Sequence, residues 1–406
     1  MSALAIVNGR VVTPDGLIDG GVLLREGRIE AIGTFAMPHD GERLDARGGL
    51  IAPGLIDVGV FAIDLPAFAA GGITRALLMP DQAQPLDNVA LIQHAAAAGK
   101  PGAWIHPLAA ATQALEGRDL AEIGLMAAAG ARGVATGRDW IADSGVMHRL
   151  LGYAGALGLV VVSHAEDGGL AEGAVATESE AATRMGLAAA PAEAEALAVA
   201  RDLVLARIGG AALHFRQLTT APALDLVREA KRQGQDVTCA ISPAHLLLSD
   251  VALGDFRTFA RLSPPLRSEA DRQACLAALA DGTIDMICSV HDPRGPEAKR
   301  LPFADAEPGM AGAETLLALS LGLVRDGVVD LPRLFALLSG NPARRFGLPA
   351  GRLEPGAAAD LILVDEETPW RIASERMVAI AGNTPFDGLP VQGRVTRTIK
   401  GGTILP

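Results

Sequence analysis

Apolar positions along the 406-residue chain fall into two kinds of pattern. Residues 4–50 run in short apolar stretches separated by tight-turn signals: Leu4-Ala5-Ile6-Val7, a turn at Asn8-Gly9, Arg10-Val11-Val12, then Gly21-Val22-Leu23-Leu24 and Arg28-Ile29-Glu30-Ala31-Ile32. The C-terminal end repeats this style at 359–364, 393–399 and 401–404. Neither end carries enough strand to make a stable sheet unaided, so the two are expected to meet in one small β-sandwich. Between them, apolar β-rich runs at 74–79, 133–136, 160–164, 212–218, 236–242 and 284–290 alternate with helical stretches such as 192–208, 221–233 and 268–280. That alternation predicts an α/β fold with a parallel sheet, and a stretch of roughly 300 residues suits a (β/α)8 barrel of the TIM type. A doubly wound sheet is the other arrangement that alternation alone permits. The expected division is residues 1–52 plus 343–406 for a composite sandwich and 53–342 for the barrel.

Composition sharpens this picture in three ways. Half of the residues are hydrophobic but only 3% are aromatic, so the core must be built mostly from closely packed Ala, Leu, Val and Ile. A formal charge of −12 argues against nucleic acid, which needs a clustered positive field. The positive charge is almost all arginine, with lysine only at Lys100, Lys231, Lys299 and Lys400. Cys239, Cys275 and Cys288 are well spaced, and Met1-Ser2-Ala3-Leu4 shows no signal-peptide pattern, which argues against a disulfide framework and a secreted fate. The longest apolar stretch, near 316–324, is far short of the ~20 residues of a membrane span. A cytoplasmic chain with neither nucleic acid nor membrane as partner is expected.

An ordered set of segments spans nearly the whole chain: Pro53-Gly54-Leu55-Ile56-Asp57, Gly71-Gly72-Ile73-Thr74 with Met79-Pro80-Asp81, His164-Ala165-Glu166-Asp167, Ser242-Pro243-Ala244-His245-Leu246, Ser263-Pro264-Pro265-Leu266-Arg267, Gly309 through Thr315, Asn341-Pro342-Ala343-Arg344 and Asn383-Thr384-Pro385-Phe386. Together they resemble a dihydroorotase of the type found in multifunctional pyrimidine complexes, within the amidohydrolase superfamily. The resemblance implies a (β/α)8 barrel with a β-sandwich. In active members it also implies a zinc centre that cyclises carbamoyl aspartate reversibly to dihydroorotate.

Most of the positions that would hold this zinc are changed. Where the resemblance implies His-x-His after Asp57, the chain has Gly59 and Phe61; the bridging acid falls on Thr136 or Gly137, a further histidine on Gln217, and the aspartate that binds metal and moves the proton on Val290. None of these side chains is a good donor for zinc. His164 alone matches a family ligand. The implied arginine for the substrate carboxylate falls on Ile63, and Asp81 replaces an asparagine. Three readings follow. The first is an inactive homologue with no cofactor, acting as a structural partner of the aspartate transcarbamoylase catalytic chain in a homo- or hetero-oligomer. The second is a working cyclic amidohydrolase with an atypical, mononuclear zinc site of His164, Asp139 and His291. The third is a small-molecule sensor. Asp81, Asp139, Glu166, His291 and Arg294 are the candidates for a residual pocket. Glu166 and Asp167 also admit an acid/base pair, and His291 beside Asp292 a proton relay; loop hydrogen bonds are the plainer reading of both.

Overall fold

The computed structural model describes residues 3–38 and 41–406. Met1-Ser2, part of the start read for a signal peptide, lies outside the described residues. Eight strand positions run parallel in chain order: Leu55–Val60, Ile73–Leu78, Trp104–Pro107 continued by Ala109–Ala110, Val134–Ala135, Val160–Ser163, Ala212–Phe215, Val237–Ile241 and Met286–Ile287. The ring closes between the last and the first. The Phe61 N–H donates to the His291 carbonyl, and the Ser289 N–H and hydroxyl both donate to Asp57. This is the (β/α)8 barrel, and the strands are short because each contributes only the layer needed to fill the interior.

The barrel interior is packed by Ile56, Val58, Leu77, Met79, Leu108, Val162, Ala240 and Met286, with Phe346 and Leu348 stopping its N-terminal end. A second layer of Ala, Leu, Ile and Val lies between strands and helices. The helices Glu193–Gly209, Ala221–Arg232 and Glu269–Ala280 fall within a residue or two of the expected spans. The strand expected at 212–218 stops at Phe215 instead: the Arg216 N–H makes the last ladder bond, to the Ser163 carbonyl, and the following residues form the barrel rim.

Both chain ends enter one eight-stranded sheet. Its central strand Leu50–Pro53 pairs antiparallel with Leu361–Arg371 on one side and parallel with Leu4–Thr13 on the other. Asn8-Gly9, read as a turn, is instead a bulge inside the single strand Leu4–Thr13, with Asn8 at φ 56°. Asparagine tolerates that left-handed conformation, so the same signal that marks a hairpin here bends one strand. The sheet is fixed to the barrel by a buried ion pair: Arg75 donates through Nε and Nη2 to Asp360, which also accepts from Trp104 Nε1. No helix among the described residues is long and apolar enough to cross a membrane.

Candidate functional site

Barrel enzymes carry their chemistry at the C-terminal strand ends, and a cavity of about 230 Å³ opens there. Phe61, Arg138, Arg216, Gln217, His245 and Asp292 form much of its wall, with Asp139 and Val290 at its edge. Each comes from the segment that follows a barrel strand, His245 from the short helix Pro243–Leu247.

Gly59 sits at φ 83° in a bulge of the first strand, and a Cβ there would lie 3.5 Å from Arg216 Cγ. Phe61 is buried with its ring beneath two guanidiniums, Arg138 at 3.9 Å and Arg216 at 5.2 Å from the ring centroid. The position implied for the bridging acid does structural work: Thr136 Oγ1 accepts the His164 N–H. Gly137 turns at φ 91°, where a Cβ would meet Asp81 Oδ1 at 2.8 Å. That turn lets the Arg138 N–H donate to the same Asp81 oxygen, while the Arg138 side chain grips Asp292 through both Nη atoms at 2.5 and 3.1 Å. Bidentate pairing of this kind fixes orientation as well as charge. Burial raises the Asp81 pKa, and its Oδ2 has no hydrogen-bond partner.

His164 Nδ1 lies 2.9 Å from Arg216 Nη2. A guanidinium only donates, so Nδ1 accepts and the ring carries its proton on Nε2, which faces Glu166 at 3.7 Å. Burial works to raise the Glu166 pKa, but the His164 and Arg267 partners outweigh it and hold it down at about 2. Glu166 therefore braces His164 against Arg267 rather than facing the cavity. Arg267 in turn bonds Thr219, Thr177 and Glu195 across the rim.

Gln217 Nε2 donates to His245 Nδ1 at 2.7 Å and to Ser242 Oγ at 3.1 Å, leaving its Oε1 buried without a partner. His245 Nε2 contacts the Pro264 and Pro265 carbonyls, and burial lowers the ring's pKa to about 4, keeping it neutral. Val290 holds φ 49°, a rare conformation for a β-branched residue and a sign that its surroundings fix it.

The suggested residual-pocket residues do not all meet. Asp139 lines the cavity and Asp81 lies against its Arg138–Gly137 turn. His291 points the other way: it is fully buried, with Nε2 3.3 Å from Asp64 Oδ2 and its ring edge-on to Phe68. Arg294 is spent on Asp292, Glu307 and the Pro308 carbonyl. His164, Asp139 and His291 consequently do not gather into a mononuclear site, and no group of three or more His, Cys, Asp or Glu side chains able to hold a metal exists among the described residues. The donors present do not fit the zinc centre that the resemblance implies. Reading the sequence alone missed Arg216 and Arg138 as site residues; both follow barrel strands, but nothing in the sequence sets them apart from surface arginines.

Fold and site together define a barrel hydrolase scaffold, and the chain belongs to the amidohydrolase family, which it matches over residues 60–405. It is 38% identical to a dihydroorotase of Anaeromyxobacter dehalogenans, with 99% of this chain and 97% of that protein aligned. It is 37% identical to a dihydroorotase-like protein of Pseudomonas aeruginosa, with 98% of each covered. Among solved structures, an L-hydantoinase (dihydropyrimidinase) from Arthrobacter aurescens superposes with a TM-score of 0.89 at 25% identity, covering 100% of this chain and 96% of that one. The full-length likeness to proteins named dihydroorotase overturns the expectation of an inactive homologue serving as a structural partner of aspartate transcarbamoylase. It supports a working dihydroorotase-type enzyme instead. The changed ligand positions alone do not decide whether the chain is active.

Proposed function

We propose that the chain is a dihydroorotase-type cyclic amidohydrolase with an atypical barrel-mouth site, opening and closing the ring of an anionic dihydropyrimidine. The observation that carries this reading is the likeness to a dihydroorotase over 99% of the chain. The cavity at the C-terminal strand ends supports it. Within this reading, Arg216, which has no ion pair among the described residues while Arg138 is paired with Asp292, provides the positive charge for an anionic substrate. Gln217 Oε1, a buried acceptor without a partner, suits a ring N–H. Asp139 stands exposed at the cavity edge with no ion pair among the described residues, and is the carboxylate placed to take and return the proton exchanged on ring opening and closure. No step is routed through a metal, since the donors do not fit one; family membership is the reason to test zinc directly.

Purified protein is incubated with dihydroorotate and, separately, with carbamoyl aspartate, with and without added zinc, and both compounds are quantified by chromatography. Turnover above the uncatalysed rate is expected, and Asp139→Asn is expected to lower it by about 10²-fold. No turnover in any arm removes the reading.

A further inference from the structure

The helix Glu193–Gly209 carries an apolar stripe on the outside of the barrel. Leu197, Val204 and Ile208 are 52%, 49% and 64% exposed, and together with Ala200 they recur every three to four residues, which puts them on one face. Arg201, the charged residue beside this stripe, is turned aside: its guanidinium bonds Asp202 and the Ile141 carbonyl and lies over the Trp140 ring. At the other edge Gly152 and Gly155 of the helix Ser144–Ala156 lie against Gly209, small residues that leave Ile208 uncovered. Large apolar side chains grouped on one outer face mark an interaction surface.

The charges around the stripe say what covers it. Glu193 stands in the first helical turn and Arg207 in the last, both exposed and neither in an ion pair among the described residues. Each is seven residues from Ala200. An antiparallel copy of the helix, related by a two-fold axis at Ala200, therefore sets Glu193 against Arg207 of the second copy and Leu197 against Val204, with the small Ala200 where the backbones cross. The next helix, Ala221–Arg232, agrees with the same axis. It starts level with its neighbour, since Glu195 bonds Thr219 and Thr220 just ahead of it. The midpoint between its exposed Asp225 and Arg232 lies about as far into that helix as Ala200 lies into the first, so these opposite charges also face each other across the axis. Their present partners, Arg228 and Glu229, sit one turn away on the surface, in pairs that yield easily. An apolar centre flanked by self-complementary charge is what an isologous contact requires. We propose that the chain forms a two-fold dimer through the outer face of the helix Glu193–Gly209, packed antiparallel on the same helix of a second copy. None of these residues lines the barrel-mouth cavity, and the proposal does not depend on the enzymatic reading.

Sedimentation velocity of the full chain at micromolar concentration should give twice the mass of one chain. Val204→Asp places an unpaired carboxylate at the apolar centre and should weaken association at least about 10-fold; circular dichroism checks that this half-exposed position leaves the fold unchanged. Glu193→Arg should weaken the dimer as well, and Glu193→Arg combined with Arg207→Glu should restore it. Ala200→Cys should give an interchain disulfide on mild oxidation, because the two copies meet at that residue. The wild-type chain should not, its Cys239, Cys275 and Cys288 being buried. If Val204→Asp does not fold, the charge reversal and the cysteine decide. A monomer at every concentration tested, a dimer indifferent to Val204→Asp, a double charge reversal that fails to restore association, or the absence of the Ala200→Cys cross-link overturns the proposal.

Discussion

Gly59 shows how one residue can decide what a strand end is able to hold. Its φ of 83° lies in the region that costs any residue with a Cβ about 1–2 kcal/mol, and the space beyond it is filled by the Arg216 stem. Gly59→Ala is therefore expected to lower unfolding free energy in urea by about 1–2 kcal/mol, and Gly59→His by more because the ring meets Arg216. An unchanged denaturation midpoint in both would mean that the bulge relaxes freely. At this scale the sequence pointed to the changed positions and was silent about Arg216. Gly59, Phe61, Gln217 and Val290 stood out because they break a motif. Arg216 did not, since an arginine after a strand reads like any surface arginine until the barrel closes over it.

Among the elements, the helix Glu193–Gly209 is tied to the loop after the strand Ala212–Phe215 by Glu195. Glu195 is buried and accepts from the N–H and hydroxyl groups of Thr219 and Thr220 at 2.6–2.9 Å, with Arg267 at 3.4 Å. Those bonds hold the loop that carries Gln217 and Arg216 toward the cavity. Glu195→Ala leaves two buried threonines without their acceptor and removes one of the two carboxylates that face buried Arg267, so a loss of about 3–5 kcal/mol is expected in chemical denaturation. A cost under about 1 kcal/mol would show that the loop finds other partners. The helix itself was legible from its Ala/Leu/Glu/Arg spacing, and its span differs from expectation by one residue at each end. The role of Glu195 was not legible, because a glutamate in the first helical turn ordinarily faces water.

For the molecule as a whole, mild acid should weaken the fold through its buried histidines. Burial lowers the pKa of His106 and His214 to about 3 and that of His245 to about 4. Unfolded histidines bind a proton near pH 6.5 while these stay neutral, so the unfolded chain gains protons and stability falls between about pH 6.5 and 4. Asp57 opposes the trend: burial raises its pKa to about 6, so the folded form gains a proton there that the unfolded form takes up only nearer 4. Burial also raises the pKa of Asp81, Asp202, Asp285 and Glu314, which act in the same direction as Asp57. The three histidines carry the larger shifts, and the urea midpoint is expected to drop from pH 7 to 4.5. A flat profile across that range would show that these rings reach water when protonated. The barrel was legible from strand and helix alternation, and the joining of the two ends from their incomplete strand sets. The bulge at Asn8-Gly9 was not, since a turn signal cannot say whether its flanking runs pair with each other or with a third strand.

The joining of the two ends in one sheet sets a schedule for biosynthesis. Leu361 through Val364 occupy the flank of Leu50–Pro53, partners separated by roughly 300 residues of chain. Until the ribosome has delivered that distant segment, an apolar strand edge of the nascent protein stays open to any passing strand. A cell making this protein must therefore shelter its first fifty residues for most of the translation time, and stalled or nicked chains ending before residue 361 should be the species that chaperones retain and proteases clear.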